Sequence, residues 1–289
     1  MVIYIDGQFL SEEEAKISVL DHGYLYGDGV FEGIRMYSGC IFKLKEHIDR
    51  LYDSARAIML DIPMGKDELI SAIVDTVKKN NLSDGYIRVV VSRGVGDLGL
   101  DPRKCSRPTV VVIADKIKLY PEELYKNGLE IITVPIRRNI PEAVNPQVKS
   151  LNYLNNILAK IEAIHRGYEE ALMLNHEGYV AECTGDNIFM IKGNNLVTPP
   201  TSVGVLKGIT ARTVMDIALK IGMEVREERF TRYDLYTSEE VFLTGTAAEI
   251  IPVVKIDDRI IGDGRPGSRT WQIIDRFRQL TTVDGVKVQ

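Results

Sequence analysis

The sequence predicts an α+β fold with two domains. Its 289 residues exceed the usual size of one domain. Strands and helices are predicted in runs rather than in strict alternation, which argues against a doubly wound parallel sheet. A segment interrupted by proline, asparagine and glycine separates the two halves. We therefore expect a small domain at 1–117, a connection at 118–128 and a larger domain at 129–289.

Composition excludes several classes of function. The net charge is −5 and no basic run occurs, so nucleic acid and anionic membranes are poor partners. No apolar stretch reaches the ~20 residues of a membrane span, and the N-terminus lacks the features of a signal peptide. Three separated cysteines and four histidines without ligand spacing predict neither a disulfide framework nor a metal site. These observations favour the cytoplasm.

The N-terminal half is predicted to combine short strands with two helices. Turn residues and β-branched runs predict strands at Val2–Ile5, Gln8–Leu10, Ile17–Leu20, Val30–Tyr37, Cys40–Phe42, Tyr86–Ser92 and Thr109–Ala114. Apolar residues at helical spacing predict helices within Leu44–Met59 and Leu69–Val77. Arg93–Pro102 is too rich in glycine for either element and is predicted to be a functional loop.

The C-terminal half is predicted to contain more strands and three helices. The strands are expected at Leu129–Ile136, Ala171–Leu174, Tyr179–Glu182, Asn187–Ile191, Leu196–Thr198, Glu240–Leu243 and Ile250–Ile256. One helix follows Lys149, a second spans Thr210–Ile221 with Gly222 after its C-terminus, and Ser268–Leu280 closes the chain.

Lys149 stands just before the first of these helices. Apolar residues recur there at i, i+3, i+4 and i+7, at Leu154, Ile157, Leu158 and Ile161. This spacing predicts the buried face of an amphipathic helix, and Ser150 and Asn152 are both suitable N-caps. A helix N-terminus disfavours a nearby cation, which would ease deprotonation of the lysine for Schiff-base chemistry. An ordinary loop lysine is the alternative interpretation.

Other groups suit a phosphorylated ligand. Lys207–Thr210 precedes a helix, and Leu243–Ala248 forms a small-residue turn after a strand. Glu182 ends a strand, where a carboxylate can bind a protonated ring nitrogen. Arg50 and Arg56 carry guanidinium groups, which suit phosphate. Taken alone, each feature is more typical of an N-cap, a turn, a strand end or a helix surface than of a binding site.

Four ordered motifs together resemble a known family. They are Val148–Asn155, Glu182–Phe189, Gly208–Arg212 and Thr244–Glu249. The chain resembles the class IV aminotransferases, which are fold type IV pyridoxal-phosphate (PLP) enzymes. Tyr24–Arg35 is most similar to the branched-chain amino acid aminotransferases. The resemblance, which runs from about residue 3 to about residue 280, implies a D-amino acid aminotransferase-like architecture with the active site between the domains.

The resemblance also implies roles for individual residues. It implies that Lys149 binds PLP covalently and moves the substrate proton, that Glu182 pairs with the pyridine nitrogen, and that Tyr153 binds the ring hydroxyl. Its implied phosphate ligands are Arg50, Ile209, Thr210 and Thr246, while Leu206 packs on the ring. The implied substrate pocket is lined by Tyr26, Phe31, Gly33, Tyr86, Arg88 and Ala247.

The implied reaction moves an amino group from L-leucine, L-isoleucine or L-valine to 2-oxoglutarate. Arg88 is expected to meet the distal carboxylate of glutamate or 2-oxoglutarate. The loop Gly94–Leu100 resembles one that family members lend to a neighbouring subunit, which implies a homodimer or a higher homo-oligomer. The alternatives are a D-amino acid aminotransferase, the PLP-dependent aminodeoxychorismate lyase and a cofactor-free protein on the same scaffold.

Overall fold

Two β-sheets, each with its own helices, build the chain. The computed structural model describes residues 1–117 and 120–288. The contacts divide the chain into unit 1, which comprises Met1–Ile117, Val148–Asn152 and Leu280–Gln289, and unit 2, which comprises Lys118–Gln147 and Tyr153–Gln279. No helix within the described residues is both long enough and apolar enough to cross a membrane.

Unit 1 contains an antiparallel sheet of seven described strands. These are β1 (Val2–Ile5), β2 (Gln8–Ser11), β3 (Gly29–Tyr37), β4 (Cys40–Phe42), β5 (Gly85–Ser92), β6 (Thr109–Asp115) and β16 (Gly285–Lys287). Their order across the sheet is β16-β4-β3-β5-β6-β1-β2. Its helices are α1 (His22–Tyr26), α2 (Leu44–Ala57) and α3 (Lys66–Lys79).

The core of unit 1 lies between its sheet and the two longer helices. Leucine and isoleucine side chains of α2 and α3 join the inward side chains of β3, β5 and β6 in one buried cluster. The period of these apolar residues is 3.6 in the helices and 2 in the strands, so each element buries a single face. Glu32 of β3 is also completely buried.

Unit 2 contains a mixed sheet of nine described strands. These are β7 (Leu129–Thr133), β8 (Glu170–Leu174), β9 (Val180–Cys183), β10 (Asn187–Lys192), β11 (Asn195–Thr198), β12 (Glu224–Glu227), β13 (Glu240–Gly245), β14 (Glu249–Ile256) and β15 (Arg259–Ile260). The main order is β12-β11-β10-β13-β14-β7-β8-β9, and β15 pairs with β14. The remaining helices are α4 (Glu122–Asn127), α5 (Leu154–His165), α6 (Ile209–Lys220), α7 (Arg232–Tyr236) and α8 (Ser268–Thr281).

The segment that carries Lys149 pairs with β3 of unit 1. Phe31 N donates to Lys149 O, and Leu151 N donates to Gly29 O, both at 2.9 Å. Ser150 forms an antiparallel bridge with Val30. Backbone pairing therefore groups Lys149 with unit 1, whereas the sequence-based assignment put it in the C-terminal domain.

The prediction that the large apolar side chains of α5 are buried is wrong. Leu154 is 67% exposed and Ile157 is 52% exposed, and Leu158 and Ile161 are also exposed. The buried positions are Asn156, Ala159 and Ala163. The two alanines pack in one cluster with Ala171 and Met173 of β8. Small side chains thus form the contact face, which a search for large apolar residues does not identify.

The predicted start of α5 is also wrong. Its N-cap position is Tyr153 rather than Ser150 or Asn152. Ser150 Oγ instead accepts a hydrogen bond from Asn152 N at 3.3 Å. Lys149 lies four residues before the N-cap, and a helix dipole loses its effect within about one turn. The helix end is therefore not the physical reason for the reactivity expected of Lys149.

Other segments also differ from the prediction. Ile17–Leu20 is irregular rather than a strand, and its backbone makes a turn in which Asp21 N donates to Ser18 O. β7 ends at Thr133 instead of Ile136. The predicted connection contains α4, while its residues 118–119 lie outside the described part of the chain.

Candidate active site

One face of the unit 1 sheet brings together four predicted substrate residues. Gly33 of β3 stands opposite Arg88 of β5 in the antiparallel register. Phe31 and Tyr86 lie on the same face because side chains alternate along a strand. The guanidinium carbon of Arg88 is 4.5 Å from the Phe31 ring centroid and 5.4 Å from that of Tyr86. An arginine therefore lies against an aromatic wall.

Lys149 reaches the same aromatic wall. Its Nζ atom is 4.6 Å from the centroid of the Phe31 ring. Its backbone is fixed on both sides, because Lys149 O accepts from Phe31 N and Lys149 N donates to Ser54 Oγ at 3.2 Å. The structure thus brings Lys149, Phe31 and Arg88 together.

Gly33 provides space for the Tyr86 side chain. A Cβ atom added at Gly33 would lie 1.9 Å from the Tyr86 hydroxyl oxygen, which is closer than any real contact. Any larger residue would displace the tyrosine ring. Gly33 therefore shapes the wall through Tyr86.

Tyr26 connects α1 to the glycine-rich loop. Its hydroxyl donates to Leu98 O at 2.6 Å. His22 Nε2 donates to Asp97 O at 2.8 Å, so two side chains of the same short helix hold adjacent loop carbonyls. The predicted loop Arg93–Pro102 is confirmed as far as Asp101, because these residues form neither a helix nor a strand, and a short 3-10 helix begins at Pro102.

Arg50 lies in a buried charged network behind β3. Its Nε and Nη2 atoms donate to the two oxygens of Glu32 at 2.7 and 2.9 Å. Nδ1 of His47 is 2.7 Å from Glu32 Oε2. Burial opposes ionisation of Glu32, but the charge of Arg50 and the hydrogen bonds from Arg50 and His47 outweigh it and lower the pKa of Glu32 to about 2.

His47 is neutral in this network. Burial lowers the pKa of His47, and the positive charges of Arg50 and Lys149 act in the same direction, whereas Glu32 raises it. An ionised carboxylate only accepts hydrogen bonds, so Nδ1 of His47 carries the proton that it donates to Glu32.

Unit 2 contains a second buried carboxylate, at Glu182 in β9. Nε of Arg138 donates to Oε1 of Glu182 at 2.8 Å. Asn187 Nδ2 and Leu206 N donate to Oε2 at 3.1 and 3.0 Å. Three donors hold the carboxylate in one orientation, and the arginine charge stabilises its ionised form.

Arg138 is one residue of the candidate site that the sequence interpretation missed. Its Nη1 donates to Asn156 Oδ1 of α5 at 3.1 Å. Asn156 Nδ2 in turn donates to Thr184 O at 2.7 Å, just after Glu182. Arg138 lies in a proline-bounded loop without a periodic pattern, so no signal in the sequence distinguished it from a surface arginine.

The start of α6 offers backbone donors to an anion. Ile209 and Thr210 occupy its first turn, where N–H groups have no partner within the helix. The N-cap is Gly208, and among the described residues no side chain caps this helix. A Cβ at Gly208 would lie 2.0 Å from Asn187 Oδ1, so only glycine allows this approach.

The second small-residue turn follows β13. Thr246 and Ala247 lie in the turn between β13 and β14. A Cβ at Gly245 would lie 1.9 Å from Asp186 Oδ1, so the turn packs closely on the residues after Glu182. Tyr153 lies at the N-cap of α5 in the same unit. Unit 2 therefore carries the remaining residues of the predicted site.

Comparisons with known proteins agree with this arrangement. The family described as amino-transferase class IV matches residues 29–256. A putative branched-chain-amino-acid aminotransferase of Methanocaldococcus jannaschii is 53% identical, covering 100% of this chain and 99% of the relative. The crystal structure of the Escherichia coli branched-chain amino acid aminotransferase superposes with a TM-score of 0.95 at 35% identity, covering 99% of this chain and 96% of that one.

A third similar protein was solved in its cofactor-bound form. It is the branched-chain amino acid aminotransferase of Thermobaculum terrenum, whose crystal structure is the PLP form, or holo-form. Its TM-score is 0.90 at 31% identity, and the match covers 98% of this chain and 94% of that chain.

The chain belongs to the class IV aminotransferases. It has the α+β fold type IV architecture and is a PLP-dependent transaminase. Within this family it is similar to the branched-chain amino acid aminotransferases.

The donor set of the chain fits PLP. The carboxyl group of Glu182, paired with Arg138, suits a pyridinium nitrogen, and the backbone N–H groups of Ile209 and Thr210 in the first turn of α6 suit a phosphate. Lys149 supplies the primary amine that covalent attachment requires.

The Glu32 network predicts an acid-sensitive contribution to stability. The pKa of Glu32 is lower in the folded chain than in the unfolded chain, so its stabilisation is complete above about pH 4.5 and is lost as the pH falls towards 2. The difference in unfolding free energy between the native chain and Glu32→Gln should shrink by about 2 kcal/mol between pH 6 and pH 3. Urea unfolding at both pH values measures it, and a difference independent of pH would contradict the assignment.

Proposed function

We propose that the chain is a branched-chain amino acid aminotransferase. It transfers the amino group of L-leucine, L-isoleucine or L-valine to 2-oxoglutarate and releases the branched-chain 2-oxo acid and L-glutamate. The observation that carries this proposal is the wall of Phe31 and Tyr86 beside Lys149 and Arg88. Full-length similarity to proteins named for this activity supports it.

The covalent link and the ring of the cofactor are assigned to four residues. PLP, when bound, supplies an electron sink for the bonding electrons of the substrate Cα. Lys149 would hold the cofactor through its Nζ amine and, once the substrate amine has displaced Nζ, would carry the proton removed from Cα. Glu182 would accept a hydrogen bond from the ring nitrogen, Tyr153 would donate to the ring hydroxyl oxygen, and Leu206 would pack on the ring.

The phosphate is assigned to four residues. Arg50 supplies charge, Ile209 and Thr210 supply backbone N–H groups, and Thr246 supplies a hydroxyl. Each group is a donor, which matches a dianion that only accepts hydrogen bonds. The uncapped start of α6 supports the assignment.

One pocket must accept two chemically different substrates in turn. Tyr26, Phe31, Gly33, Tyr86 and Ala247 are assigned to its walls, which suit aliphatic side chains. Arg88 is assigned to the distal carboxylate of glutamate or 2-oxoglutarate, because a guanidinium group pairs well with a carboxylate. Stacking on Phe31 keeps Arg88 against the wall when the apolar substrate is present.

Half-reactions with single amino acids test the substrate class. Mixing the PLP-loaded enzyme with L-leucine or L-glutamate should rapidly convert the cofactor to its amine form, which a change in its absorption reports. D-alanine should react at least about a hundredfold more slowly, because the opposite configuration misplaces the Cα proton. Faster reaction with D-alanine than with L-leucine would favour a D-amino acid aminotransferase. Release of pyruvate from aminodeoxychorismate would favour the lyase.

We also propose that the enzyme is a homodimer or a higher homo-oligomer built from dimers. The apolar side chains of α5 are exposed, and Leu98 and Leu100 in the glycine-rich loop are 72% and 79% exposed. Apolar surface of this kind is typical of a protein–protein interface. A second copy of the chain is the assigned partner.

Light scattering tests this assembly. The native enzyme should have a mass of two chains or a multiple of two. Leu158→Lys/Ile161→Lys should give a smaller assembly, because two charges would be buried at the interface. The control is Ile260→Lys, which adds a charge at another exposed apolar position. A monomeric native enzyme at micromolar concentration would contradict the proposal.

A cytoplasmic location completes the proposal. Cys40, Cys105 and Cys183 are all free, which suits a reducing compartment. Burial raises the pKa of the Cys40 and Cys183 thiols, so both remain protonated and unreactive.

A further inference from the structure

We propose that Glu32 is a positioning residue for the cofactor phosphate: with His47, it fixes the guanidinium group of Arg50 in the orientation that binds the phosphate. The inference rests on the proposed function, because the phosphate belongs to PLP. It adds two residues, Glu32 and His47, that contribute to binding without contacting the ligand.

The three side chains belong to two adjacent elements of unit 1. His47, Arg50 and Ser54 lie at i, i+3 and i+7 along α2 and therefore form one stripe on that helix. Glu32 projects from β3 towards this stripe and meets both His47 and Arg50. The stripe faces β3 and is polar where the rest of the helix–sheet contact is apolar.

The contact fixes the plane of the guanidinium group. Nε and Nη2 of Arg50 bind different oxygens of the same carboxylate, which is the two-point geometry that arginine forms best. His47 donates to Oε2, so rotation of the carboxylate would break a third hydrogen bond. Neither the guanidinium group of Arg50 nor the carboxylate of Glu32 can rotate without breaking these buried hydrogen bonds.

The carboxylate of Glu32 is not explained by a need to attract the phosphate. Glu32 is completely buried and ionised, so its negative charge opposes that of a phosphate bound to Arg50. Burying a charge is also costly unless it is well paired. A residue that weakens the attraction yet is held by three hydrogen bonds is better explained by the orientation that it imposes.

The same helix stripe also anchors Lys149. Ser54 Oγ accepts the hydrogen bond from Lys149 N at 3.2 Å, one helical turn after Arg50. Arg50, which we propose binds the phosphate, belongs to α2, and the backbone of Lys149 is hydrogen-bonded to the same helix. Fixing Arg50 on this helix sets the distance between the phosphate and the amine that binds the cofactor.

The test compares PLP with pyridoxal, which lacks the phosphate. Dissociation constants of both for the apoenzyme are measured by absorbance for the native chain, Glu32→Gln and Arg50→Gln. Glu32→Gln should weaken PLP binding by about tenfold or more and pyridoxal binding by less than about threefold. Arg50→Gln should show the same selective loss. If Arg50 acted only through its charge, Glu32→Gln would strengthen PLP binding, because the substitution removes an opposing negative charge.

The control is Asp28→Asn. Asp28 forms a two-point pair with Arg93 in the same unit, at 2.9 and 3.0 Å. This variant should lower thermal stability without changing the ratio of the PLP and pyridoxal dissociation constants. If Glu32→Gln does not fold, His47→Ala is used, which keeps the arginine–carboxylate pair and should lower the PLP preference by about threefold.

The outcomes separate this inference from the proposed function. A native chain that binds neither compound overturns the PLP assignment itself. The native chain could instead bind PLP more tightly than pyridoxal while Glu32→Gln shows an equal or greater preference for PLP. That result overturns only the role of Glu32. An unchanged preference in Arg50→Gln also overturns it, because Arg50 would then not bind the phosphate.

Discussion

The backbone pairing of Lys149, Ser150 and Leu151 with β3 is the constraint on which the unit 1 part of the site depends. Two hydrogen bonds of 2.9 Å attach a short segment to a strand that is distant in sequence. The side chains of β3 alternate, so Phe31 lies on the face that Lys149 Nζ reaches and Glu32 lies on the face towards α2. A one-residue slip in this pairing would reverse the side on which each side chain lies. The strand thereby separates the reacting amine from the network that positions Arg50.

The two units use the same physical solution for a buried carboxylate. Glu32 is held by Arg50 and His47, and Glu182 is held by Arg138, Asn187 and a backbone amide. In each case an arginine compensates for burial and several donors prevent rotation. The chemical results differ, because we propose that Glu32 acts on another protein residue whereas Glu182 acts on the cofactor ring.

The sequence predicts most of the fold because the apolar periods are strong where one face of an element is buried. The helices at α2, α3 and α6 and the strands at β3, β5 and β6 are therefore confirmed. The prediction failed for α5, where alanines make the contact and the large apolar side chains are exposed. Periodicity reports which side chains are apolar, whereas packing also depends on how closely two backbones approach.

For a similar reason, the sequence predicted some residues of the candidate site and missed others. The four motifs identified Lys149 and Glu182 because these residues lie in distinctive local sequences. Arg138 and His47 were missed, because their roles come from hydrogen bonds to residues 44 and 15 positions away. Long-range pairing of polar residues leaves no local pattern in one sequence.

The central claim is that Lys149 is the residue to which the cofactor is covalently attached. The most direct test is reduction of the PLP-loaded enzyme with borohydride, followed by peptide mapping with mass spectrometry. We expect a phosphopyridoxyl group on the peptide that contains Lys149 and on no other lysine. A modification located mainly on another lysine, such as Lys207, would contradict the account.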